Sequence, residues 1–570
     1  MAGPVHFEVF VRKTPQAAWA LDSALEHRNQ ALQLADDLLA DKQAVSVRVT
    51  KETLNVQTME FQSVTLLTKG APEPPRRKVG RDDHGPVACA TPPDLYTSHA
   101  RERIGRVLDD WLVRQGVTPF ELLHRPDLIE MLDASGMALQ HALQKIAVPE
   151  SQTTGQAVHD VIRRYQRLVD QAIDRVLRAG RNGAFADLSV EPLADVARRV
   201  IGNPDRAFLL GGAVAQAMAK VQGWRAKFDV LMDLTDTAPE DSEPAALVHV
   251  VIEQAASEIL SLRRARAEVL GGGLDLGGQL ATLVRLAVPK EAQLVARADA
   301  RVAAVLPVLE GPALRLGRHM ANGHYRLLAA GLSRRVLAEL MGPRRLRPSD
   351  PNGEIDVLRA MAMILTAAAG KFLTLEEAQL AFAERSKTLV AADFVEAYVG
   401  SAPTPLAEAD LLVRLCENVT GAGAKRSAST WLVACVTALR FERAIIESGL
   451  GAGARLMQLA ELQSRVRACD LAEEDQNDVC EALSRIGDAV ESQGRVSAQI
   501  ARASAPLTQR LSLLLRMAIG QACPIGPAAD RARAEVLKLL KSPETRSSLA
   551  TDPDALPILK PLMRAAGLAA

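Results

Sequence analysis

Histidines, cysteines, serine elbows and glycine-rich turns are the parts from which a chain builds reactive or cofactor-holding centres. Their spacing here excludes the familiar designs. The body histidines (His99, His124, His141, His159, His249, His319, His324) contain no H-E-x-x-H and no pair four apart. No helix face therefore presents two metal ligands in register, and no metal site is expected. The six cysteines (Cys89, Cys416, Cys435, Cys469, Cys480, Cys523) are scattered, without a C-x-x-C pair, and read as small buried hydrophobes of a reducing compartment. No G-x-S-x-G offers a serine nucleophile. Of the glycine-rich stretches, Gly271–Gly278 lacks a following Lys-Ser/Thr and Gly421–Ser427 lacks the spacing of a phosphate loop. Neither follows a predicted strand, so both read as interhelical turns and no cofactor is expected.

The residue type that does stand out is arginine. From Gly311 to Arg347 there are eight arginines, no lysine and a single acid, Glu339, in a chain whose formal net charge is +0. A planar guanidinium grips phosphate or carboxylate through two parallel hydrogen bonds, which a lysine cannot do. Arg315, Arg318, Arg334, Arg335, Arg344, Arg345 and Arg347 are thus the candidate contacts to an anionic ligand or an acidic partner surface. The competing reading is that they pair with acids of neighbouring helices. Leu328, Leu332, Val336 and Leu340 recur every fourth residue, which predicts a helix with a buried stripe over about 323–341. At 100° per residue Arg326, Arg334 and Arg335 fall on different sides of that helix, which weakens the case for one binding strip. The acidic stretch Asp236–Pro244 offers an electrostatic counterpart, although nothing in the sequence joins the two.

The elements that must hold these residues are mostly helical. At the N-terminus Val5–Arg12 alternates apolar and polar, Trp19–Leu25 does so more weakly, 28–41 carries one apolar helical face, and Val45, Val47 and Val49 alternate again before an apolar run at Phe61–Leu67. The pattern predicts a ββαββ module over residues 1–70. Residues 71–98 are rich in Pro, Gly and charge and read as a flexible linker. Beyond it start signals recur: Thr118-Pro119-Phe120-Glu121 and Thr374-Leu375-Glu376-Glu377 fit a capping box, and Thr404-Pro405, Ser542-Pro543 and Asp552-Pro553 place a cap before a proline. The breaker-rich segment Gly342–Gly353 separates a helical domain 99–342 from another at 354–525, with a helical cap at 526–570. A length of 570 residues exceeds what one core of about 250–300 residues holds, which agrees with several units. The signals have no fixed period, so no solenoid is expected.

Composition bounds the function. A pI near 7.2 gives the whole chain no electrostatic reason to seek nucleic acid or an anionic membrane. The isolated aromatics make no base-stacking platform. The longest apolar run, about 360–370, is half the ~20 residues a bilayer span needs, so no membrane insertion is expected. The N-terminal residues lack a basic region followed by an apolar stretch, so no signal peptide is read there. The expectation is a mainly α, non-enzymatic, cytoplasmic bacterial protein, regulatory or scaffolding, that binds other proteins through helical surfaces. The alternative is a binder of an anionic ligand, a nucleotide or nucleic acid, through the arginine stretch 311–347.

Overall fold

The computed structural model describes residues 5–14, 19–55, 60–70, 89–551 and 555–568. The chain separates into two compact units, Met1–Ala88 and Cys89–Ala570, and is mostly α with a small α+β N-terminal part.

In the first unit the alternating stretches become strands β1 (Val5–Arg12), β2 (Ala20–Leu25), β3 (Ser46–Asn55) and β4 (Glu60–Gly70), with the helix Arg28–Ala40 between β2 and β3. The sheet is antiparallel in the order β2-β1-β3-β4. Val9 pairs with Val49 and Val11 with Val47, so the period-2 pattern puts these valines on one face. There they close, with Phe7, over Ala31, Ala35 and Leu38 of the helix. The fourth strand ends at Gly70, which has φ +101°, and a Cβ there would lie 2.3 Å from the Val45 carbonyl oxygen. Only glycine fits both the angle and the space.

Every regular element among the described residues of the second unit is a helix. The unit begins earlier than composition suggested. Pro92–Tyr96 forms a 3-10 turn capped by Thr91 and Asp94, and the Tyr96 hydroxyl donates to the Leu123 carbonyl at 2.9 Å. Pro92 and Pro93, read as part of the linker, are first-turn prolines, where the missing N–H costs nothing; the rest of that stretch, 71–88, lies outside the described residues. Both capping boxes form: Thr118 and Thr374 accept from the amides of Glu121 and Glu377, whose carboxylates reach back. Thr404 caps the helix Pro405–Asn418, and Pro543 opens the helix Pro543–Thr551. Asp552-Pro553 lies outside the described residues.

The breaker segment ends the helix Arg326–Leu340 and precedes the helix Pro351–Ala367, but it does not divide the core. One contiguous apolar cluster runs from Phe120 to Ala566 and includes Leu340, Leu346 and Ile355 on both sides of the break. The regions expected as separate domains, 99–342, 354–525 and the cap 526–570, share that cluster. Among the described residues no single helix is long and apolar enough to cross a membrane. Helix Ser242–Ser261 passes the test only together with Arg263–Leu270, across a bend of 105°. Its apolar residues Val248, Val251, Ile252, Ala255, Ala256 and Ile259 are buried in the core instead.

Candidate functional site

The seven candidate arginines do not form one patch. Arg315, on the helix Gly311–Ala321, reaches Asp233 at 2.7 Å and Asp236 at 2.6 Å on the helix Trp224–Asp236. The acidic stretch and the arginine stretch therefore meet at one residue, Asp236. Arg335 and Arg344 turn to Glu339, at 3.3 and 2.7 Å. Arg345 donates to the fully buried Glu354 at 3.0 Å and lies 4.3 Å from the centre of the Phe394 ring. Arg347 pairs with Asp275 at 2.8 Å and Asp350 at 3.2 Å. Arg318 and Arg334 are exposed and form no ion pair among the described residues.

One arginine outside the stretch organises its end. The last carbonyls of a helix have no partner within it and carry the negative end of its dipole. Arg385, on the helix Leu375–Leu389 and only 1 % exposed, fills that role for the Arg326 helix. It donates to the Glu339 and Gly342 carbonyls at 2.8 Å each and to that of Arg344 at 2.9 Å. Burial lowers its pKa from the ordinary guanidinium value.

The Ser242 and Arg326 helices lie side by side and run the same way. From the second half of the first, Glu253 accepts from the Leu328 amide in the first turn of the second at 2.8 Å. Beyond the end of the Ser242 helix, Arg266 reaches Glu339 at 3.7 Å. Together with the helices Ser98–Val107 and Asp109–Gln115 they border a cleft of about 820 Å³. Leu112, Val117, Leu260, Leu328 and Leu332 give it an apolar floor, with Trp224 at one side. Arg101, Arg106, Arg334 and Arg335 edge it.

Part of that edge is already satisfied. Arg101, 3 % exposed, donates to Glu258 at 2.6 Å, to Gln254 at 3.1 Å and to the Tyr96 carbonyl. The other Glu258 oxygen accepts from the Phe120 amide at 2.6 Å. Burial raises the Glu258 carboxyl, and the neighbouring Arg101 charge pulls against it. Arg106 pairs with Glu102 at 2.8 Å in solvent, which is worth little. What the cleft still offers a ligand is apolar surface, the unpaired Arg334, the partly committed Arg335 and the exposed carboxylate of Asp109.

A second gathering of chemistry-bearing groups was invisible in the sequence. His249 of the Ser242 helix stacks on His324 with ring centres 4.2 Å apart, and His319 is 6.2 Å from His324. His319 Nε2 lies 2.7 Å from Asp236. Beside them Tyr325, buried and at φ +61°, shares a 2.7 Å hydrogen bond with Thr235. Burial, then the neighbouring His324 and His319, bring His249 down to about 4. Among the described residues no group of three or more His, Cys, Asp or Glu is placed to hold a metal ion. All six cysteines are free thiols, and burial pushes Cys416, Cys435 and Cys523 up to about 12, far from the thiolate that nucleophilic chemistry uses.

The chain matches no protein-family profile, no curated protein and no solved structure.

Proposed function

We propose that this protein acts as a regulatory or scaffold protein that binds a partner protein, and that the cleft beside the Ser242 and Arg326 helices receives a partner segment combining apolar side chains with carboxylates. The observation that carries the reading is the cleft itself. Its volume, about 820 Å³, falls within the ~300–1,000 Å³ of preformed binding sites. Its floor is apolar, and Arg334 and Arg335 make the side of its edge formed by the Arg326 helix positive, against one unpaired acid of the lining, Asp109. Charge complementarity of that kind selects acidic partners and speeds their encounter. A cytoplasmic, non-enzymatic role in a bacterium is part of the same proposal.

The test uses two substitutions that leave the core alone. Gly331 lines the cleft, and a Cβ added there meets nothing within 4 Å, so Gly331→Phe plugs the cleft without a clash at its root. Arg334→Glu reverses an exposed, unpaired charge. Quantitative capture with wild type and both variants should find a partner that each variant binds at least about tenfold more weakly, equivalent to about 1.4 kcal/mol. Equal recovery of every captured protein by all three chains would refute the cleft as the docking surface.

A further inference from the structure

Beside the part of the cleft wall that Arg335 lines, where the Ser242 and Arg326 helices both finish, cations outnumber anions. Arg266, Arg335 and Arg344 all turn to the single carboxylate of Glu339, at 3.7, 3.3 and 2.7 Å. Arg263 adds a fourth positive charge close enough to act on Arg266. Arg385 sits behind them, committed to backbone carbonyls.

Two features separate this cluster from a solvated charged surface. Arg266 is 2 % exposed, yet its contacts are long: 3.5 Å to the Leu260 and Ser261 carbonyls besides the 3.7 Å to Glu339. A guanidinium taken out of water and held so loosely is costly. The Nε of Arg335 is buried with no hydrogen-bond partner among the described residues, an unused donor that a buried polar group ordinarily fills. One carboxylate has too little charge and too few acceptor positions for three forks of five donors each.

We infer that the Arg266–Arg335–Arg344 cluster is a binding site for a phosphate-class dianion, with Glu339 as the resident counter-ion when no dianion is bound. A phosphate brings two charges and several acceptor oxygens, and the planar forks match it bidentately. Arg335 also lines the cleft, together with Arg334 and Ala338, so a phosphate ester can place its phosphoryl group on the arginines and its organic part on the apolar floor. The inference does not depend on a partner protein occupying the cleft. It makes Glu339 a competitor of the ligand, and that gives the site an unusual sign: removing an acid that seems structural should strengthen binding.

Calorimetric titration of the full chain with inorganic phosphate and with phenyl phosphate, at fixed ionic strength in chloride, tests this. Both probes should bind one to one. Arg344→Ala, which changes a side chain left 43 % exposed, should weaken both about tenfold. Glu339→Gln should tighten both several-fold. Phenyl phosphate binding at least tenfold tighter than phosphate would identify an ester whose body lies in the cleft, and Gly331→Phe should then erase that advantage while leaving inorganic phosphate unchanged. Equal affinities would identify free phosphate as the ligand and overturn the link to the cleft floor. No saturable binding of either probe to wild type and to Glu339→Gln at millimolar concentration would overturn the site, and so would a Glu339→Gln chain that folds normally but binds phosphate no better.

Discussion

Among the arginines, burial and partner decide the role, and the residue type alone does not. Arg385 holds three carbonyls at the end of the Arg326 helix from a position 1 % exposed. Arg385→Met keeps much of the volume but takes the guanidinium donor from the Gly342 and Arg344 carbonyls, while that of Glu339 keeps the Gly342 amide at 3.1 Å. Each buried group left unpaired costs on the order of 1–3 kcal/mol, and relaxation recovers part of it. A loss of about 3 kcal/mol is expected as a lower urea midpoint, while Arg318→Ala, at an exposed and unpaired position, should stay within about 0.5 kcal/mol of wild type. A smaller loss for Arg385→Met than for Arg318→Ala would show that the cap is idle. The same contrast marks what could be read without coordinates. The density of arginines over 311–347 is a local property and was legible. Partners within a turn or two lie in the local sequence, as Glu339 does for Arg335 and Asp350 for Arg347, but the distant ones were not legible, because Asp236, Asp275 and Arg385 lie 79, 72 and 41–46 residues away from the residues they bond, and no local pattern encodes such a distance.

Among the elements, helix starts were the most legible feature, since Thr118 and Thr374 cap within their own four residues. The pairing of the Ser242 and Arg326 helices was not, and neither was the histidine cluster between them, where His249, two turns into the first, and His324, just before the second, come together across 75 positions of sequence. That cluster predicts how the pair responds to acid. Around His249 stand His324 and His319 with Asp236, Arg315, Glu253 and Tyr325. Its folded value, about 4, lies below the ordinary 6.5. Between those two values the unfolded chain binds a proton that the folded chain does not. Stability therefore rises with pH in this window and is lost as pH falls from about 6.5 towards 4. A full proton would be worth about 1.4 kcal/mol per pH unit, and the partial exposure of the ring reduces that. His249→Gln should retain roughly 1 kcal/mol that wild type loses between pH 7 and pH 5, seen as a smaller drop in Tm. His124, buried and lowered to about 3, acts in the same direction in both chains, so the comparison isolates His249. Parallel Tm curves for the two chains would rule the histidine stack out as an acid-sensitive joint.

For the whole molecule, the question is whether the breaker segment at Gly342–Gly353 divides the helical unit. Prolines and glycines report where the backbone changes direction, and here they do so correctly, because one helix ends at Leu340 and the next begins at Pro351. They carry no information about which side chains pack together. Leu346, in the middle of the break, is fully buried, and its carbonyl accepts from the Gly277 amide at 2.9 Å. Arg347 ties the segment to Asp275, and Arg385 reaches back from the following helices to cap the preceding one. Ile355, Val357, Leu358, Met361 and Ile364 bury themselves in the cluster that also holds Leu280, Leu283 and Leu340. A fragment 89–342 would expose the surfaces these side chains cover. At about 1.5–3 kcal/mol for each large apolar side chain, losing five such contacts removes as much as the 5–15 kcal/mol that keeps a domain folded. The fragment is expected to show weak, non-cooperative melting by circular dichroism and rapid proteolysis, whereas 89–570 should melt in one transition. A cooperatively folding 89–342 fragment would mean that the continuous apolar cluster joins two cores that are stable apart, and that the breaker segment is a true domain boundary.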